Sequence, residues 1–543
     1  MTDGWSRTDH HRRLERSFDV AVIGGGITGA GAALDLAARG LEVIVLERSD
    51  FAQGTSSRST KLFHGGIRYL PQFHLGMVSE GLREQKVLAR VADFLFHPLE
   101  FVIPLYAQYG IAGAPSWAAQ GWAAPLALRA GLVAYDVLGG PRRPGRLHRA
   151  VSAEQLLADF PMLRPQGLER GFVYSDAQTD DARLVISVLK TAVVRYGATA
   201  VSLLEVSSLR RTDQGFVLDV HDRQSGDRFG IHARTVLSAA GAFDPPPLTG
   251  RTSGSRVVRS KGTHLIAERS ALGMGDAALV LPETDDGRVL YILPWLDHAL
   301  IGTTDTPFGA DPTHPTASPD DVDYLLRHVR RYLDADAVEP ISTFAGLRAL
   351  KDDGTGRTST ASREHVIEHS VPGYVTVAGG KLTTYRRIAG EAADAVMRAL
   401  GGRVRSSTDS IPLIGAGPDR ARLRRMLTDA GADPAVVDPT IARNGSDAGR
   451  IAAVMASDPA STAMLGDRRS SLADVVHAVR NEGASRITDV TLRRTHLAWF
   501  TSDHGRRDAP RIADVMAAEL GWTAGERERQ LEEHERELVA EGL

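Results

Sequence analysis

The sequence contains no cysteine among its 543 residues. Disulfides, thiolate nucleophiles, thiolate zinc sites and iron–sulfur ligation are therefore excluded, and no metal site is predicted. The absence fits a cytoplasmic protein, because proteins of reducing compartments do not depend on disulfides.

An excess of charge of one sign is also absent. The formal net charge is −3, from 64 basic and 67 acidic residues, so no overall basic field indicates a nucleic-acid partner. The first twenty residues are polar and lack the apolar core of a signal peptide, so export is not expected. The longest uncharged stretch, residues 101–128, is interrupted by Pro104, Pro115 and Pro125 and is a poor membrane-spanning helix.

The most informative pattern lies near the N-terminus, where a strand, a glycine-rich turn, a helix and a second strand follow one another. The strands Val20–Ile23 and Glu42–Leu46 are continuous apolar runs, as strands buried in a parallel sheet are. The turn contains Gly24, Gly26 and Gly29. This succession predicts a dinucleotide-binding βαβ unit.

Each glycine of this turn has a physical reason. Gly24 permits the tight turn, Gly26 lets the backbone approach a pyrophosphate, and Gly29 lets the helix pack on the strand. The helix N-terminus offers N–H groups to phosphates. Glu47 lies 18 residues past Gly29, where an acid accepts hydrogen bonds from ribose hydroxyls. The alternatives are a turn of an ordinary α/β protein and a surface acid.

A second glycine-bearing turn occurs about 350 residues later, where the strand Tyr374–Ala378 runs into Gly379, Gly380 and a helix from about Thr384. The N-terminus of that helix would stabilise the negative charge that develops on a reduced flavin. This second turn, and the position of the first unit at the start of the folded chain, favour FAD over NAD. A turn without a ligand is the alternative.

Polar groups near the two turns complete the predicted FAD site. Ser56 and Ser57 belong to a hydroxyl-rich run after the second strand, for which a solvated loop is the alternative. Thr383 has a plain alternative as a helix N-cap. The predicted cofactor-binding residues are Gly24, Gly26, Gly29, Glu47, Ser56, Ser57, Gly241, Gly379, Gly380, Leu382 and Thr383.

The order of these patterns predicts an α/β plus α fold. We expect a Rossmann-like FAD-binding domain, an interleaved mixed-sheet substrate domain and a helical C-terminal domain, because only amphipathic helices follow Gly402. The predicted division is a polar N-terminal tail (1–17), an FAD-binding domain (18–100, 150–255 and 341–402), a substrate-binding domain (101–149 and 256–340) and the C-terminal domain (403–543).

Seven segments of the chain, taken in order, carry a resemblance to a known family. They are VIGGGITGAGAALDLAARGL, GTSSRSTKLFHGGIRYL, YSDAQTDDARL, SKGTHL, ILPWLDHALIGTTDT, FAGLRAL and AGGKLTTYRRIA. In this order they resemble the FAD-dependent glycerol 3-phosphate dehydrogenases of the glycine/D-amino-acid-oxidase-like flavoproteins. They cover most of residues 18–400, whereas the C-terminal part matches chiefly in ASRITDVTLRRTHLAW (484–499). The loops AFDPPPLTGRTSG after Gly241 and KDDGTGRTSTASREH after Leu350 depart from the family pattern.

The resemblance implies oxidation of sn-glycerol 3-phosphate to dihydroxyacetone phosphate, with hydride passing to FAD and electrons on to a quinone. It also implies a cytoplasmic protein on the inner face of the cell membrane. The open alternatives are an oxidase that uses oxygen, a related flavin amine or 2-hydroxy-acid oxidoreductase, and a non-catalytic FAD-binding protein. A homodimer is a further expectation, without a located interface.

Such an oxidation needs a base for the hydroxyl proton. His64 is the predicted catalytic base, because the intrinsic pKa of histidine lies near working pH. The alternative is a histidine that only hydrogen-bonds to backbone. Arg68 is expected to hold the substrate or the developing alkoxide, and His264 is a second candidate for the base and for substrate binding.

Three cations are predicted to hold the phosphate: Arg348, Arg363 and Lys381. Arginine offers a planar fork and lysine a point charge. Arg348 lies in an apolar run, where a structural salt bridge is the alternative, and we place it in the catalytic set with His64. Lys381 follows two glycines at a helix N-terminus, an unfavourable position for a cation unless an anion is near. For Arg363, a surface arginine is the alternative.

The uncharged stretch 101–128 predicts a segment that lies at the membrane surface, because aromatic residues favour the headgroup layer. An apolar excursion packed on the substrate domain is the alternative. The aromatic residues are Tyr106, Tyr109, Trp117 and Trp122, and the flanking basic residues are Arg129, Arg142, Arg143 and Arg146.

Overall fold

The computed structural model describes residues 4–67, 74–112, 121, 123–141, 143–249, 257–335, 338–351 and 365–543. Their strands are β1 (Phe18–Ile23), β2 (Val43–Leu46), β3 (Leu62–Phe63), β4 (His97–Tyr106), β5 (Arg149–Ser152), β6 (Leu168–Gln178), β7 (Thr199–Val201), β8 (Leu204–Thr212), β9 (Gly215–Asp222), β10 (Arg228–Ser238), β11 (Val257–Glu268), β12 (Ala278–Leu281), β13 (Leu290–Trp295), β14 (His298–Gly302), β15 (Thr306–Pro307), β16 (Pro340–Lys351), β17 (Val366–Val371) and β18 (Tyr374–Ala378).

The α-helices of the described residues are α1 (Arg7–His11), α2 (Ile27–Ala38), α3 (Leu75–Val91), α4 (Ala123–Gly139), α5 (Ala153–Asp159), α6 (Asp181–Tyr196), α7 (Pro319–Tyr332), α8 (Tyr385–Ala399), α9 (Arg420–Asp429), α10 (Pro434–Asn444), α11 (Ala448–Ser457), α12 (Leu472–Asn481), α13 (Leu497–Phe500), α14 (Ala509–Leu520) and α15 (Ala524–Glu541). A π-helix spans Asp489–Arg494.

The first sheet has eight strands and forms the nucleotide-binding layer. Its main path runs β17-β18-β10-β1-β2-β7, with the pairs β9–β10 and β8–β9 attached. The five strands from β18 to β7 along this path are parallel, and β1 pairs with both β2 and β10. Their carboxyl ends therefore lie at one edge, which brings together the turns that follow β1, β2, β10 and β18.

The second sheet has ten strands in the order β15-β11-β14-β13-β12-β4-β6-β3, with β16 on β11 and β5 on β6. It is mixed, because β4 pairs with β12 in parallel while the other pairs are antiparallel. Strands β6 and β16 belong to this sheet, although their residues fall in segments predicted for the FAD-binding domain. The expected fold class is confirmed, whereas the division into domains stays a prediction.

Apolar helices cover the first sheet. Helix α2 packs against α6 and α8, and both its leucines and four of its five alanines are buried. The polar N-terminal segment also packs here. Trp5 is fully buried, and its Nε1 donates to the carbonyl of Ala200 at 3.1 Å. Arg7 adds a two-nitrogen attachment, because its guanidinium donates to the carbonyl of Ser202 at 3.0 Å and to Asp222 at 2.8 Å.

Residues 403–543, all of which the structure describes, form helices and contain no β-strand. The amphipathic helices expected after Gly402 are observed, among them α9, α12, α14 and α15. The last helix differs from a solvated charged helix, because Gln530, His534, Glu537 and Glu541 are buried.

The uncharged stretch 101–128 is only partly a surface segment. Residues 101–106 belong to β4, in the interior of the second sheet, and Tyr106 is buried with its hydroxyl on the carbonyl of Arg164 at 2.9 Å. Tyr106 therefore cannot reach a headgroup layer, and neither can Arg143, which is buried against Asp136. Trp117, Trp122 and Arg142 lie outside the described residues. Among the described residues, no helix combines the length and apolar character needed to cross a membrane.

Candidate functional site

A cavity of about 530 Å³ lies at the carboxyl edge of the parallel strands. Four predicted residues that line it are Gly24, Gly26, Glu47 and Gly241, and Ser56 lines it from the loop after β2. Gly29 stands behind the turn, as its packing role requires. A cavity of this volume is within the usual range for small-molecule and cofactor sites.

The glycine turn leaves no space for side chains. Gly24 has a φ of +103°, and a Cβ there would lie 2.5 Å from the carbonyl oxygen of Ala239. A Cβ on Gly29 would lie 1.9 Å from the carbonyl oxygen of Gly24, so the helix and the turn are in direct backbone contact. One N–H of the helix N-terminus is already bonded, since Ile27 donates to Ser56 Oγ at 2.9 Å. Ser56 therefore connects the loop after β2 to the start of α2.

Glu47 is fixed by the backbone around it. Its Oε2 accepts from the N–H of Gly25 at 2.7 Å, and its Oε1 accepts from the N–H of Ser49 at 2.8 Å. Burial raises the pKa of Glu47, although these two N–H groups favour the carboxylate. The acid is thus oriented by the glycine turn and still faces the cavity, where ribose hydroxyls can donate to it.

A second cavity, of about 170 Å³, adjoins the turn after β18. It is lined by His64, Gly380, Lys381 and Thr383, all of them predicted site residues. Gly379 and Gly380 have φ of +77° and +112°, the left-handed region that favours glycine. The chain then makes a single 3-10 turn, Leu382–Thr384, before α8 begins.

Thr383 does not act as a helix cap. Its Oγ1 accepts the backbone N–H of His64 at 3.1 Å, which ties the histidine loop to the turn after β18. Lys381 Nζ lies 3.6 Å from the sulfur of Met77 and lines the same cavity. Ser57 and Leu382 lie outside the linings of both cavities.

A third group of predicted residues lies on the second sheet. His264 on β11 is opposite Phe344 on β16, and Ser260 is opposite Arg348. The Arg348 guanidinium donates to the carbonyl of Thr304 at 3.0 Å and to Thr303 Oγ1 at 3.2 Å. Its separation from Asp305 Oδ1 is 3.5 Å, so the arginine is held by both a carboxylate and neutral oxygens.

His264 is a buried, neutral histidine. Its Nε2 lies 3.1 Å from Thr60 Oγ1, and its ring stacks on Phe344 at 4.9 Å between centroids. Burial, then the charges of Arg348 and Lys61, hold its pKa well below the usual value. The Nδ1 atom is buried and has no hydrogen-bond partner among the described residues. Arg68 and Arg363, the other two predicted substrate residues, lie outside the described residues.

The sequence analysis missed the carboxylate behind the histidine loop. Asp176 Oδ1 accepts from Tyr135 Oη at 2.5 Å, Gln85 Nε2 at 2.7 Å and the Gly65 N–H at 3.1 Å. Gln85 also donates to the carbonyl of Phe63 at 2.6 Å. Asp176 therefore fixes the backbone on both sides of His64. It stands in the motif YSDAQTDDARL, but no local pattern gives it this role.

Lys61 is a second missed residue. It is buried, and its Nζ donates to Asp181 Oδ1 at 2.6 Å and to the carbonyl of Ser57 at 3.1 Å. The same nitrogen lies 4.6 Å from the ring centroid of Trp295. The polar run after β2 is thus packed around a buried ion pair and does not form a solvated loop.

Comparison with known proteins fits this geometry. Residues 19–386 match the family of FAD dependent oxidoreductases, and residues 406–527 match the C-terminal domain of alpha-glycerophosphate oxidase. The chain belongs to the FAD-dependent oxidoreductases. FAD is therefore its cofactor, and the larger cavity with Gly24, Gly26 and Glu47 is suited to the nucleotide part of that group.

Two relatives that match over nearly the whole chain assign it to a group within this family. Glycerol-3-phosphate dehydrogenase 2 of Mycobacterium tuberculosis is 35% identical, over 97% of this chain and 89% of that protein. The mitochondrial glycerol-3-phosphate dehydrogenase of Homo sapiens is 33% identical, over 95% of this chain and 72% of that protein. Within the FAD-dependent oxidoreductases, the chain belongs to the glycerol-3-phosphate dehydrogenases.

Solved structures agree. The glycerol-3-phosphate dehydrogenase from Bacillus halodurans, complexed with FAD, has a TM-score of 0.77 at 26% identity, over 99% of this chain and 98% of that one. The L-alpha-glycerophosphate oxidase from Mycoplasma pneumoniae has a TM-score of 0.54 at 16% identity, over 72% of this chain and 97% of that one, and shows the shared fold alone.

Proposed function

We propose that the protein oxidises sn-glycerol 3-phosphate to dihydroxyacetone phosphate and passes the electrons to a quinone at a membrane surface. The likeness to glycerol-3-phosphate dehydrogenases over nearly the entire chain carries the substrate assignment. Lys381 and His64, which both line the smaller cavity, fit an anionic alcohol. Bound FAD supplies the acceptor for the hydride that leaves the substrate carbon.

His64 is the base in this proposal. It lines the smaller cavity, and the backbone at His64 and Gly65 is fixed by Thr383 and Asp176. A backbone held in this way limits the positions that the imidazole can take beside the cavity, which favours general-base catalysis. Histidine suits this role because the intrinsic pKa of an imidazole lies near neutral pH.

His264 has a different role. Its burial beside Arg348 disfavours the imidazolium, so it is a poor proton acceptor. The neutral ring can still form one hydrogen bond with a bound group through its buried Nδ1. We assign it to substrate binding.

Arg348 and Lys381 are the phosphate ligands in this proposal, with Arg68 and Arg363 as further candidates. Arg348 is oriented by Thr303, Thr304 and Asp305 but keeps about a fifth of its side chain exposed. An oriented guanidinium binds a phosphate oxygen without first losing its rotamer freedom.

The membrane surface in this proposal is one face of α4. Leu126, Val133 and Val137 are 60%, 46% and 74% exposed, and their spacing places them along the same side of the helix. Leu132 and Tyr135, on the other side, are buried. Arg129 of the same helix is exposed, and so is Arg146, seven residues after the helix ends; exposed arginines suit an anionic headgroup layer.

The acceptor is tested by turnover. With glycerol 3-phosphate as donor and a short-chain quinone in air, we expect quinone reduction to exceed peroxide formation by at least tenfold. Oxygen is the second candidate acceptor, because the C-terminal match is named after an oxidase. Stoichiometric peroxide in the presence of quinone would replace the quinone with oxygen.

The membrane surface is tested by flotation with anionic vesicles at low salt. We expect Val137→Glu to lower the bound fraction at least fivefold, because burial of one valine contributes about 1.5 kcal/mol. Val539→Glu is the matched control, since Val539 is 63% exposed and lies on a different helix, α15. Equal binding of the two variants would exclude α4 as the docking face.

A further inference from the structure

The loop after β2, residues 48–58, is held from outside by the helical C-terminal region. Asp50 is fully buried, and Arg494 binds it with two nitrogens at 2.6 and 2.9 Å. Arg493 also donates to Asp50. Arg486 Nη2 lies 3.4 Å from Gln53 Oε1, three residues further on. These arginines lie in and beside the π-helix, more than 400 residues from the loop in sequence.

The inner side of the same loop forms a wall of the FAD cavity. Gln53, Thr55, Ser56 and Arg58 all line it. Ala52 donates its N–H to the carbonyl of Gly25 at 3.1 Å. The loop therefore contacts the glycine turn on one side and the C-terminal arginines on the other.

Glu541, at the end of α15, connects the loop 53–58 to a second segment that lines the FAD cavity, residues 312–315. Its Oε1 accepts from Arg58 Nη2 at 2.5 Å and lies 3.1 Å from His314 Nδ1. Thr313 and Pro315, the neighbours of His314 in sequence, also line the cavity. Glu541 and Arg58 are both buried, so this pair is not screened by solvent.

We propose that Glu541 is a positioning residue of the FAD site, and that the helical C-terminal region retains FAD by holding the two cavity walls, residues 53–58 and 312–315, together. The arrangement has a clear energetic basis. Removing one charge from a buried pair leaves the other uncompensated, and the segment that carries it must shift towards solvent. Here the segment that would shift is a wall of the cavity. The inference rests on FAD binding and is independent of the substrate and the acceptor.

Glu541→Gln tests the proposal in the full-length protein. We expect its FAD dissociation constant, measured by flavin fluorescence in titrations of the apoprotein, to rise at least tenfold, which is about 1.4 kcal/mol. Glu541→Asp keeps the charge, and we expect it to recover part of the affinity. It also keeps the test valid if the glutamine variant does not fold.

Asp474→Asn is the matched control. Asp474 is a buried carboxylate of the same helical region, paired with Arg443 at 2.7 Å, and lines neither cavity. We expect this variant to lower the unfolding temperature while its FAD dissociation constant stays within twofold of the wild type. If Glu541→Gln leaves the constant within twofold, or if Asp474→Asn raises it equally at an equal loss of stability, Glu541 has only a structural role and the proposal is wrong.

Discussion

Replacing Asp176 with asparagine should change how stability depends on pH. Burial raises the pKa of Asp176 to about 6, although Tyr135, Gln85 and the Gly65 N–H favour the carboxylate. The unfolded chain has a carboxyl pKa of about 3.9. Because the folded pKa is the higher one, the fold favours the protonated acid. Its contribution is complete below pH 4 and is lost as pH rises through 6.

The difference of about two pKa units corresponds to about 3 kcal/mol. Asparagine does not titrate, so Asp176→Asn removes this dependence. We expect the unfolding free energy of the variant minus that of the wild type to rise by about 2 to 3 kcal/mol between pH 4 and pH 8. Any hydrogen bond that the asparagine fails to make is lost at every pH. Such a loss moves the whole difference curve up or down and leaves its slope unchanged.

Urea denaturation of the holoprotein at several pH values measures the effect. Asp50→Asn provides a control of opposite sign. Burial alone would raise the pKa of Asp50, but Arg494 and Arg493 hold that pKa well below its usual range. That variant should therefore lose most stability at neutral pH and less as the pH falls below 4. If the Asp176→Asn and wild-type curves are parallel from pH 4 to 8, Asp176 titrates normally and the reasoning is refuted.

Three further variants test the site. His64→Ala should keep FAD bound while turnover falls at least 100-fold, the usual contribution of a general base; unchanged turnover would remove His64 from that role. Arg348→Lys should raise KM for glycerol 3-phosphate at least tenfold at unchanged flavin content, and an unchanged KM would leave Arg348 a structural residue. Gly29→Ala should cost at least about 2 kcal/mol and yield FAD-free protein, because its Cβ would meet the backbone of Gly24 at 1.9 Å. Gly449→Ala, whose nearest atom is a side-chain tip at 3.5 Å, is the control and should purify with a full complement of FAD.

The nucleotide half of the site could be predicted because its signals are local. Each of the four turns at the sheet edge follows an apolar strand, and parallel strands place their carboxyl ends together. The proximity of Glu47 and Gly241 can therefore be predicted without knowing any contact between distant parts of the chain. The fold class followed from the same alternation of strands and helices.

The substrate half depends on antiparallel register, which the sequence does not specify well. Arg348 is conspicuous in the sequence as a charged residue in an apolar run. Its partners Thr303 and Thr304 cannot be read from that run, because they belong to the segment after β14. The sequence leaves His264 as a second candidate for the base, and it does not reveal that the imidazole is buried beside Arg348. The supporting carboxylate Asp176 was missed because it lies 111 residues from Gly65.

The last helix shows a different limit. Its sequence is highly charged, which is typical of a solvated helix, yet one side is buried against charged partners. Glu541 meets Arg58 across 483 residues. Buried ion pairs carry no hydrophobic periodicity, so no pattern of apolar residues indicates them.

Anaerobic addition of sn-glycerol 3-phosphate to the purified holoprotein tests the central claim most directly. We predict rapid bleaching of the oxidised flavin absorption near 450 nm on the order of seconds, with one dihydroxyacetone phosphate formed per flavin. Glycine and 2-hydroxy acids should leave the spectrum unchanged. A flavin that stays oxidised with glycerol 3-phosphate but is bleached by one of those compounds would contradict the assignment.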